Sequence, residues 1–167
     1  MVRRNWKHAG AYTLIEVLVV VMIIGIAGAI VVPHMPTVSS MGVQAAGRMI
    51  IADIIFAQND AVAHQKPRKV IFDTANGSYR ITDANENPIA ASWKGGAEYV
   101  VAVTGDSRFE GVTLANADFG ATATLEFDDL GTSINGGTID VIANEFQYRI
   151  TVATFTGRLT IEPIAGG

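Results

Sequence analysis

Residues 12–33 read YTLIEVLVVVMIIGIAGAIVVP, and this stretch decides how the chain is organised. Between Val17 and Val32 it contains no charged residue and no proline. As an α-helix, the 22 residues of the stretch would span roughly 33 Å, close to the ~30 Å hydrocarbon core of a bilayer. The sequence therefore predicts one membrane-spanning helix over residues 12–33.

The charges around this run predict its orientation. Arg3, Arg4 and Lys7 all precede it, so the positive-inside rule keeps residues 1–11 in the cytoplasm and sends the remainder outward. A cleaved secretory signal peptide is one alternative, but the run is longer than the usual apolar region of such a peptide and no small-x-small cleavage site follows it. A plain single-pass anchor is the other alternative.

One acid, Glu16, stands at the start of the apolar run. A carboxylate is costly to place in or near lipid, which indicates that Glu16 has a function. The alternative is an interfacial side chain whose charged end stays in water.

The segment Tyr12-Thr13-Leu14-Ile15-Glu16, behind a short cationic leader, resembles the type IV pilins and type II secretion pseudopilins. The resemblance implies that prepilin peptidase cuts between Ala11 and Tyr12 and that Tyr12 is then N-methylated. It also implies that Glu16 acts in assembly, by neutralising the N-terminal amine of an adjacent subunit in a filament. The family usually has glycine directly before the cut, where this chain has Ala11; a cut after Gly10 would make Glu16 the sixth residue instead of the fifth.

Composition narrows the possible functions of the remainder. The chain of 167 residues has room for one domain besides the anchor, and residues 34–167 contain nine basic and fifteen acidic residues, a net charge of about −6. That balance argues against a nucleic-acid partner, since such a partner requires a basic surface. Because the chain has no cysteine, disulfides and thiol chemistry are excluded, and an ordinary hydrophobic core must hold the domain together.

An amphipathic helix is predicted over residues 37–64. Apolar and small residues recur there at spacings of three and four and share one face, while Arg48, Asp53, Asn59 and Asp60 lie away from it. Because Pro33 cannot donate a backbone hydrogen bond, we expect a helix kink there. The residues of the apolar face are Val43, Ala46, Gly47, Ile50, Ile54, Ala57 and Ala61.

After residue 67 the pattern becomes that of β-strands separated by turn residues. Asn76-Gly77 predicts a hairpin with a type I′ turn. A helix followed by antiparallel strands gives an α+β fold, with the sheet packed on the apolar face of the helix. The resemblance implies that this fold is pilin-like. Its long N-terminal helix would be membrane-spanning in one half and amphipathic in the other. The predicted strands are Lys69–Asp73, Ser78–Thr82, Tyr99–Val103, Thr122–Phe127, Thr138–Ile142, Tyr148–Ala153 and Arg158–Glu162.

The C-terminal half extends the resemblance. Its segments Leu125–Gly131, Thr138–Ile142, Tyr148–Val152 and Gly157–Leu159 resemble the closing strands of the GspH/FimT-type minor pseudopilins. Two short signals carry most of this likeness: a phenylalanine four residues before a glycine, and a late Gly-Arg pair.

Other candidate sites are weak. Asp83, Asn85 and Asn87 have the spacing that opens a calcium loop, but Pro88 occupies the position of the required glycine, so we expect a polar loop and no metal site. Three histidines, His8, His34 and His64, are far apart in the sequence and no nucleophile motif accompanies them. We therefore expect no enzymatic activity, no catalytic residue, no cofactor and no small-molecule substrate. Gly25 and Gly28 permit close helix packing without forming a Gly-xxx-Gly pair.

These observations predict a leader peptide over residues 1–11, an assembly and membrane helix over residues 12–33, and a periplasmic α+β domain over residues 34–167. The expected function is that of a minor pseudopilin, anchored once in the inner membrane, which joins sibling pseudopilins or pilins in the type II secretion pseudopilus and supports protein export. The alternative is a FimT-like minor type IV pilin for pilus assembly or DNA uptake. DNA capture would require clustered Lys and Arg, which the acidic domain lacks.

Overall fold

The computed structural model describes residues 12–31, 38–91 and 96–164. The chain forms two compact units, Met1–Pro36 and Thr37–Gly167. The first unit contains helix α1 (Leu14–Val31), and the second opens with helix α2 (Val38–His64). The strands that follow α2 are β1 (Arg68–Asp73), β2 (Ser78–Thr82), β3 (Ala90–Ala91), β4 (Ala97–Glu98), β5 (Val100–Ala102), β6 (Thr113–Asp118), β7 (Thr124–Phe127), β8 (Gly137–Ala143), β9 (Phe146–Val152) and β10 (Leu159–Ile164).

The strands form two four-stranded sheets and one small ribbon, and every pairing is antiparallel. The first sheet has the order β5-β2-β1-β7, the second has the order β10-β9-β8-β6, and β3 pairs with β4. The predicted α+β class is confirmed, with the strands divided between two sheets.

Helix α2 packs against both sheets, through β1 and β7 of the first and β8 and β9 of the second. All seven residues of its predicted apolar face are buried, because spacings of three and four keep them on one side of the helix. Gly47 lets the second sheet approach closely: a Cβ at this position would lie 2.7 Å from the Cδ1 atom of Ile161. The amphipathic helix is therefore confirmed.

The seven predicted strands all exist: Ser78–Thr82 matches at both ends, and the ends of the others differ by at most two residues. Three further strands were not predicted: β6 and the two-residue strands β3 and β4. Strand β6 was missed because its register shifts between Leu114 and Asn116, which breaks the alternation of buried and exposed residues on which the prediction depends. Only Leu114 is fully buried in that strand.

The hairpin predicted at Asn76-Gly77 is confirmed, but its turn type was wrong. Strands β1 and β2 pair from Asp73 opposite Ser78, which leaves a four-residue loop in which Gly77 has a φ of 60° and Asn76 has no positive φ. The side chain of Asp73 holds this loop by accepting a hydrogen bond from the backbone N–H of Asn76 at 3.0 Å. Gly77 is needed for space as well, since a Cβ there would clash with Thr104.

Asp53 was predicted to lie away from the apolar face of α2, yet its half-buried side chain contacts residues of the core. Its carboxylate accepts hydrogen bonds from the hydroxyl of Tyr79 at 2.5 Å and from the hydroxyl of Tyr99 at 2.8 Å. Both tyrosines are almost fully buried. Asp53 therefore links α2 to the residues around β2 and β5. Its position off the apolar face of α2 did not predict this contact.

Asp60, also predicted to lie away from the apolar face, accepts a hydrogen bond from the Nε atom of Arg68 at 2.5 Å. The Arg68 side chain is only 8% exposed, so this ion pair is largely shielded from water. His64 lies 3.1 Å from the same carboxylate. The end of α2 is thereby attached to the start of β1.

Asn135 binds the free edge of β7 through its side chain. Its side-chain oxygen accepts from the backbone N–H of Glu126 at 3.0 Å, and its amide nitrogen donates to the carbonyl of Thr124 at 2.8 Å. The side chain thus replaces a neighbouring strand at an edge whose backbone groups would otherwise lack partners.

Candidate processing and assembly site

The segment before α1 has the features of a helix start. The hydroxyl of Thr13 accepts a hydrogen bond from the backbone N–H of Glu16 at 3.2 Å, and its carbonyl accepts from the N–H groups of Glu16 at 3.1 Å and Val17 at 3.2 Å. Thr13 is therefore the N-cap of α1, and Thr-x-x-Glu is the spacing of a capping box. This role of Thr13 was not predicted from the sequence, although the Thr-x-x-Glu spacing indicates it.

Glu16 lies in the first turn of α1, at the positive end of the helix dipole, where an acid is favoured by about 0.3–1 kcal/mol. Both Glu16 and Tyr12 are exposed. Tyr12 and Glu16 line one shallow depression together with Val17, Val20 and Val21. The structure thus brings together the predicted first residue of the mature chain and the predicted assembly residue.

The described side chains of α1 are exposed on every face of the helix, and nearly all of them are apolar. Gly25 and Gly28 have no other atom near the position of a Cβ. Within the part of the chain that the structure describes, no helix is both long enough and apolar enough to cross a membrane. Ala11, Pro33, His8 and His34 lie outside the described residues, as does the predicted leader.

Asp83 and His64, two of the weaker candidates, have local partners. Asp83 accepts hydrogen bonds at 2.9 Å from the backbone N–H groups of Asn85 and Asn87, so its side chain organises its own loop. Among the described residues, no group of three or more His, Cys, Asp or Glu side chains is placed to hold a metal ion. His64 instead lies beside Asp60.

Gly131 and Gly157, the two glycines of the C-terminal resemblance, both lie against the side chain of Gln58 in α2. The amide nitrogen of Gln58 donates to the carbonyl of Gly131 at 2.7 Å and lies 3.4 Å from the carbonyl of Thr156. A Cβ on Gly157 would lie 2.8 Å from the same nitrogen, and one on Gly131 would lie 2.6 Å from Val62. Both glycines have a positive φ, so close approach and backbone conformation together account for them.

Comparison with known family models identifies a motif in the N-terminal segment. Residues 6–32 match the family model described as the prokaryotic N-terminal methylation motif. The chain carries the N-terminal motif of prepilin-like proteins. This motif contains the predicted cut, the capping residue Thr13 and Glu16.

Among solved structures, the chain is similar to the minor pseudopilin EpsH from the Type 2 Secretion System of Vibrio cholerae. The sequences are 14% identical, the TM-score is 0.49, and the match covers 74% of this chain and 97% of EpsH. No curated protein matches the chain.

Proposed function

We propose that the chain is a minor pseudopilin, which prepilin peptidase processes and which assembles with other pilin-like subunits into a type II secretion pseudopilus that supports protein export. The observation that carries the proposal is the match of residues 6–32 to the N-terminal methylation motif. The position of Glu16 in the first turn of an apolar helix agrees with it.

The same segment supports anchoring in the inner membrane before assembly. A helix that is apolar on every face is suited to lipid or to a bundle of other helices, and not to water. The basic residues before it keep the leader in the cytoplasm. The domain that begins with α2 then lies in the periplasm.

The proposed cut between Ala11 and Tyr12 creates an amine at Tyr12, which is then N-methylated. Glu16 belongs to no ion pair among the residues that the structure describes. We infer that its carboxylate binds the amine of a neighbouring subunit. Bringing these two opposite charges together in a medium of low dielectric offsets the cost of removing each from water.

The charged residues of the domain disfavour DNA capture. Arg68, Lys69, Arg108 and Arg149 are each within ion-pair distance of an acidic side chain. A nucleic-acid surface requires clustered basic residues that are free to contact phosphate. We therefore propose a structural subunit and not a DNA-capturing pilin.

Processing is tested by the N-terminal mass of the full chain extracted from membranes. We expect a mature chain that begins with N-methylated Tyr12. A mature N-terminus at Ala11 or Thr37, or an intact leader, would contradict the proposal.

The role of Glu16 is tested by Glu16→Ala beside Glu16→Gln. Glutamine also serves in a capping box, so Glu16→Gln keeps the helix start and removes only the charge. Loss of the carboxylate leaves a partner amine unpaired, at a cost of several kcal/mol, and we expect both variants to enter the membrane normally but to be depleted from filament fractions. Normal assembly and secretion by Glu16→Gln would refute the charge pairing and leave capping as the function of Glu16.

A further inference from the structure

Strand β10 is an open edge of the second sheet, where β9 is its neighbour on one side. The other sheet edges are obstructed: Asn135 binds the edge of β7, β6 contains a register shift and β5 has three residues. Strand β10 pairs regularly with β9 over its six residues, Leu159–Ile164. An open and regular edge is able to pair with a strand of another chain.

The backbone groups that point outward from β10 follow from its pairing with β9. The carbonyl of Arg158 accepts a hydrogen bond from the N–H of Ala153 at 2.9 Å, so Arg158 points its backbone groups at β9. This direction alternates along an antiparallel strand, and Leu159, Ile161 and Pro163 therefore point theirs outward. Among the described residues, no hydrogen bond from another segment reaches the outward groups of Leu159 or Ile161. Because proline has no N–H, Pro163 leaves no donor unpaired at this edge.

The side chains along β10 divide between two faces of the sheet. Ile161 lies against α2, where its Cδ1 atom would be 2.7 Å from a Cβ on Gly47. Leu159 shares that face by strand alternation, and both side chains are only partly buried, so apolar surface at the edge remains to be covered. The opposite face carries Arg158 and Glu162, which are exposed. Neither belongs to an ion pair among the described residues.

One antiparallel register matches β10 with β10 of a second copy at every one of these positions. With Thr160 opposite Thr160 of the second copy, Leu159 lies opposite Ile161. Each Leu159–Ile161 pair exchanges N–H···O bonds in both directions, and their apolar side chains cover one another. The same register places Arg158 opposite Glu162 at both ends of the pairing, and opposite charges across neighbouring strands attract.

We propose that two copies of the chain pair through β10 in this register, which joins their second sheets into one continuous sheet. A second copy fits because one edge supplies both members of the charged pair and both members of the apolar pair, as a two-fold symmetric contact requires. The surface added to the sheet is therefore complementary to itself.

The symmetry of this pair makes it a state outside a filament. The two-fold axis that relates antiparallel strands of one sheet stands perpendicular to the sheet. Helix α2 packs on that sheet through β8 and β9, so the two copies of α2 point in opposite directions along it. Subunits of a filament all point in one direction, so a chain that is paired through β10 cannot have its pair partner beside it in the filament.

The pairing uses one part of the proposed function, the membrane anchor. Two six-residue edges bury less surface than a stable soluble dimer requires. Two chains anchored in one membrane have a raised effective concentration, and they can form this pair when the two-fold axis stands along the membrane normal.

The test is cysteine crosslinking of the full chain in membranes of cells that produce it, with copper phenanthroline as the oxidant. The chain has no cysteine of its own. Thr160→Cys places two thiols on the two-fold axis, with Cα atoms about 4.5 Å apart, within the range that a disulfide spans. Ile164→Cys is the register control, since its two Cα atoms would lie about 27 Å apart. Glu145→Cys, exposed in the turn between β8 and β9, measures random collision.

We expect Thr160→Cys to give a disulfide-linked homodimer well above both controls, and we expect filament fractions to lack this species. Adding Glu162→Arg should lower its yield about tenfold, because two attractive charge pairs become repulsive. Adding Arg158→Glu to Glu162→Arg exchanges the two charges and should restore the adduct, which also shows that the variant chains fold.

Four results would overturn the pairing: no Thr160→Cys adduct above the Glu145→Cys level, an equal yield from Ile164→Cys, no effect of Glu162→Arg, or the linked species within filaments. If the wild-type chain co-sediments with filaments while one of these results is found, the pairing fails and the proposed function stands. If the adduct behaves as expected but the wild-type chain never enters filaments, the proposed function fails and the pairing stands. A wild-type chain that is absent from membranes would contradict both.

Discussion

Replacing Asp53 with alanine should destabilise the domain substantially, because one carboxylate accepts the hydroxyl hydrogen bonds of both Tyr79 and Tyr99. Tyr79 is 1% exposed and Tyr99 2%, so neither hydroxyl can readily bond to water instead. Hydrogen bonds to a charged group contribute about 1.5–3 kcal/mol each, and leaving a buried partner unpaired adds its desolvation cost. Since Asp53 itself is only half-buried, we expect Asp53→Ala to lower the free energy of unfolding by about 2–4 kcal/mol.

Urea unfolding of residues 37–167, expressed without the preceding segment, measures this loss. Asp53→Asn is the matched control: it keeps an acceptor oxygen and removes the charge, so its loss should be smaller. In a double-mutant cycle, Tyr79→Phe should cost about 1–2 kcal/mol less in the Asp53→Ala background than in the wild type.

Additive effects of the two substitutions on the free energy of unfolding would contradict this expectation. If Asp53→Ala and Tyr79→Phe lower the free energy of unfolding independently, to within about 0.5 kcal/mol, then the hydrogen bond between them does not contribute to stability and Asp53 acts only through local helix effects.

Burial raises the pKa of Tyr79, and the neighbouring Asp53 carboxylate raises it further. The stability that the raised pKa of Tyr79 contributes is therefore complete below the unfolded-state pKa of about 10 and declines above it, by about 1.4 kcal/mol per pH unit. Unfolding measured from pH 9 to 11 should show this decline. Tyr79→Phe should make it shallower without removing it, because burial and the Asp53 carboxylate raise the pKa of Tyr99 as well. Ile50→Ala and Ile54→Ala, each at a fully buried position, should cost about 2–5 kcal/mol. Ile55→Ala, at 43% exposure, should cost about 1 kcal/mol or less, and equal melting temperatures for Ile54→Ala and the wild type would show that this face is not the core.

Local patterns in the sequence predicted much of the architecture. The apolar face of α2 and seven of the strands were predicted because helix and strand periodicity are properties of neighbouring residues. The helix start at Thr13 also depends only on neighbouring residues, and its Thr-x-x-Glu spacing can be read from the sequence. Strand β6 was the exception, because a bulge removes the alternation that marks a strand.

The roles of single polar residues depended on the tertiary structure. Asp53, Asp60 and Asn135 each bind a group outside their own element, and the sequence pattern predicted none of these contacts. A side chain's partner is set by how the sheets pack on α2, and no spacing within its own element contains that information.

The sequence by itself determined the apolar helix with Glu16 at its start, the amphipathic helix after it and the acidic β-rich remainder, since composition and short-range periodicity are sufficient for these features. Only the tertiary structure decided that the strands divide into two four-stranded sheets and a small ribbon, and that Gly131 and Gly157 meet at Gln58. Strand pairing and helix burial are long-range choices: they follow from which apolar surfaces can be covered together in one core, and that is settled by the whole chain at once.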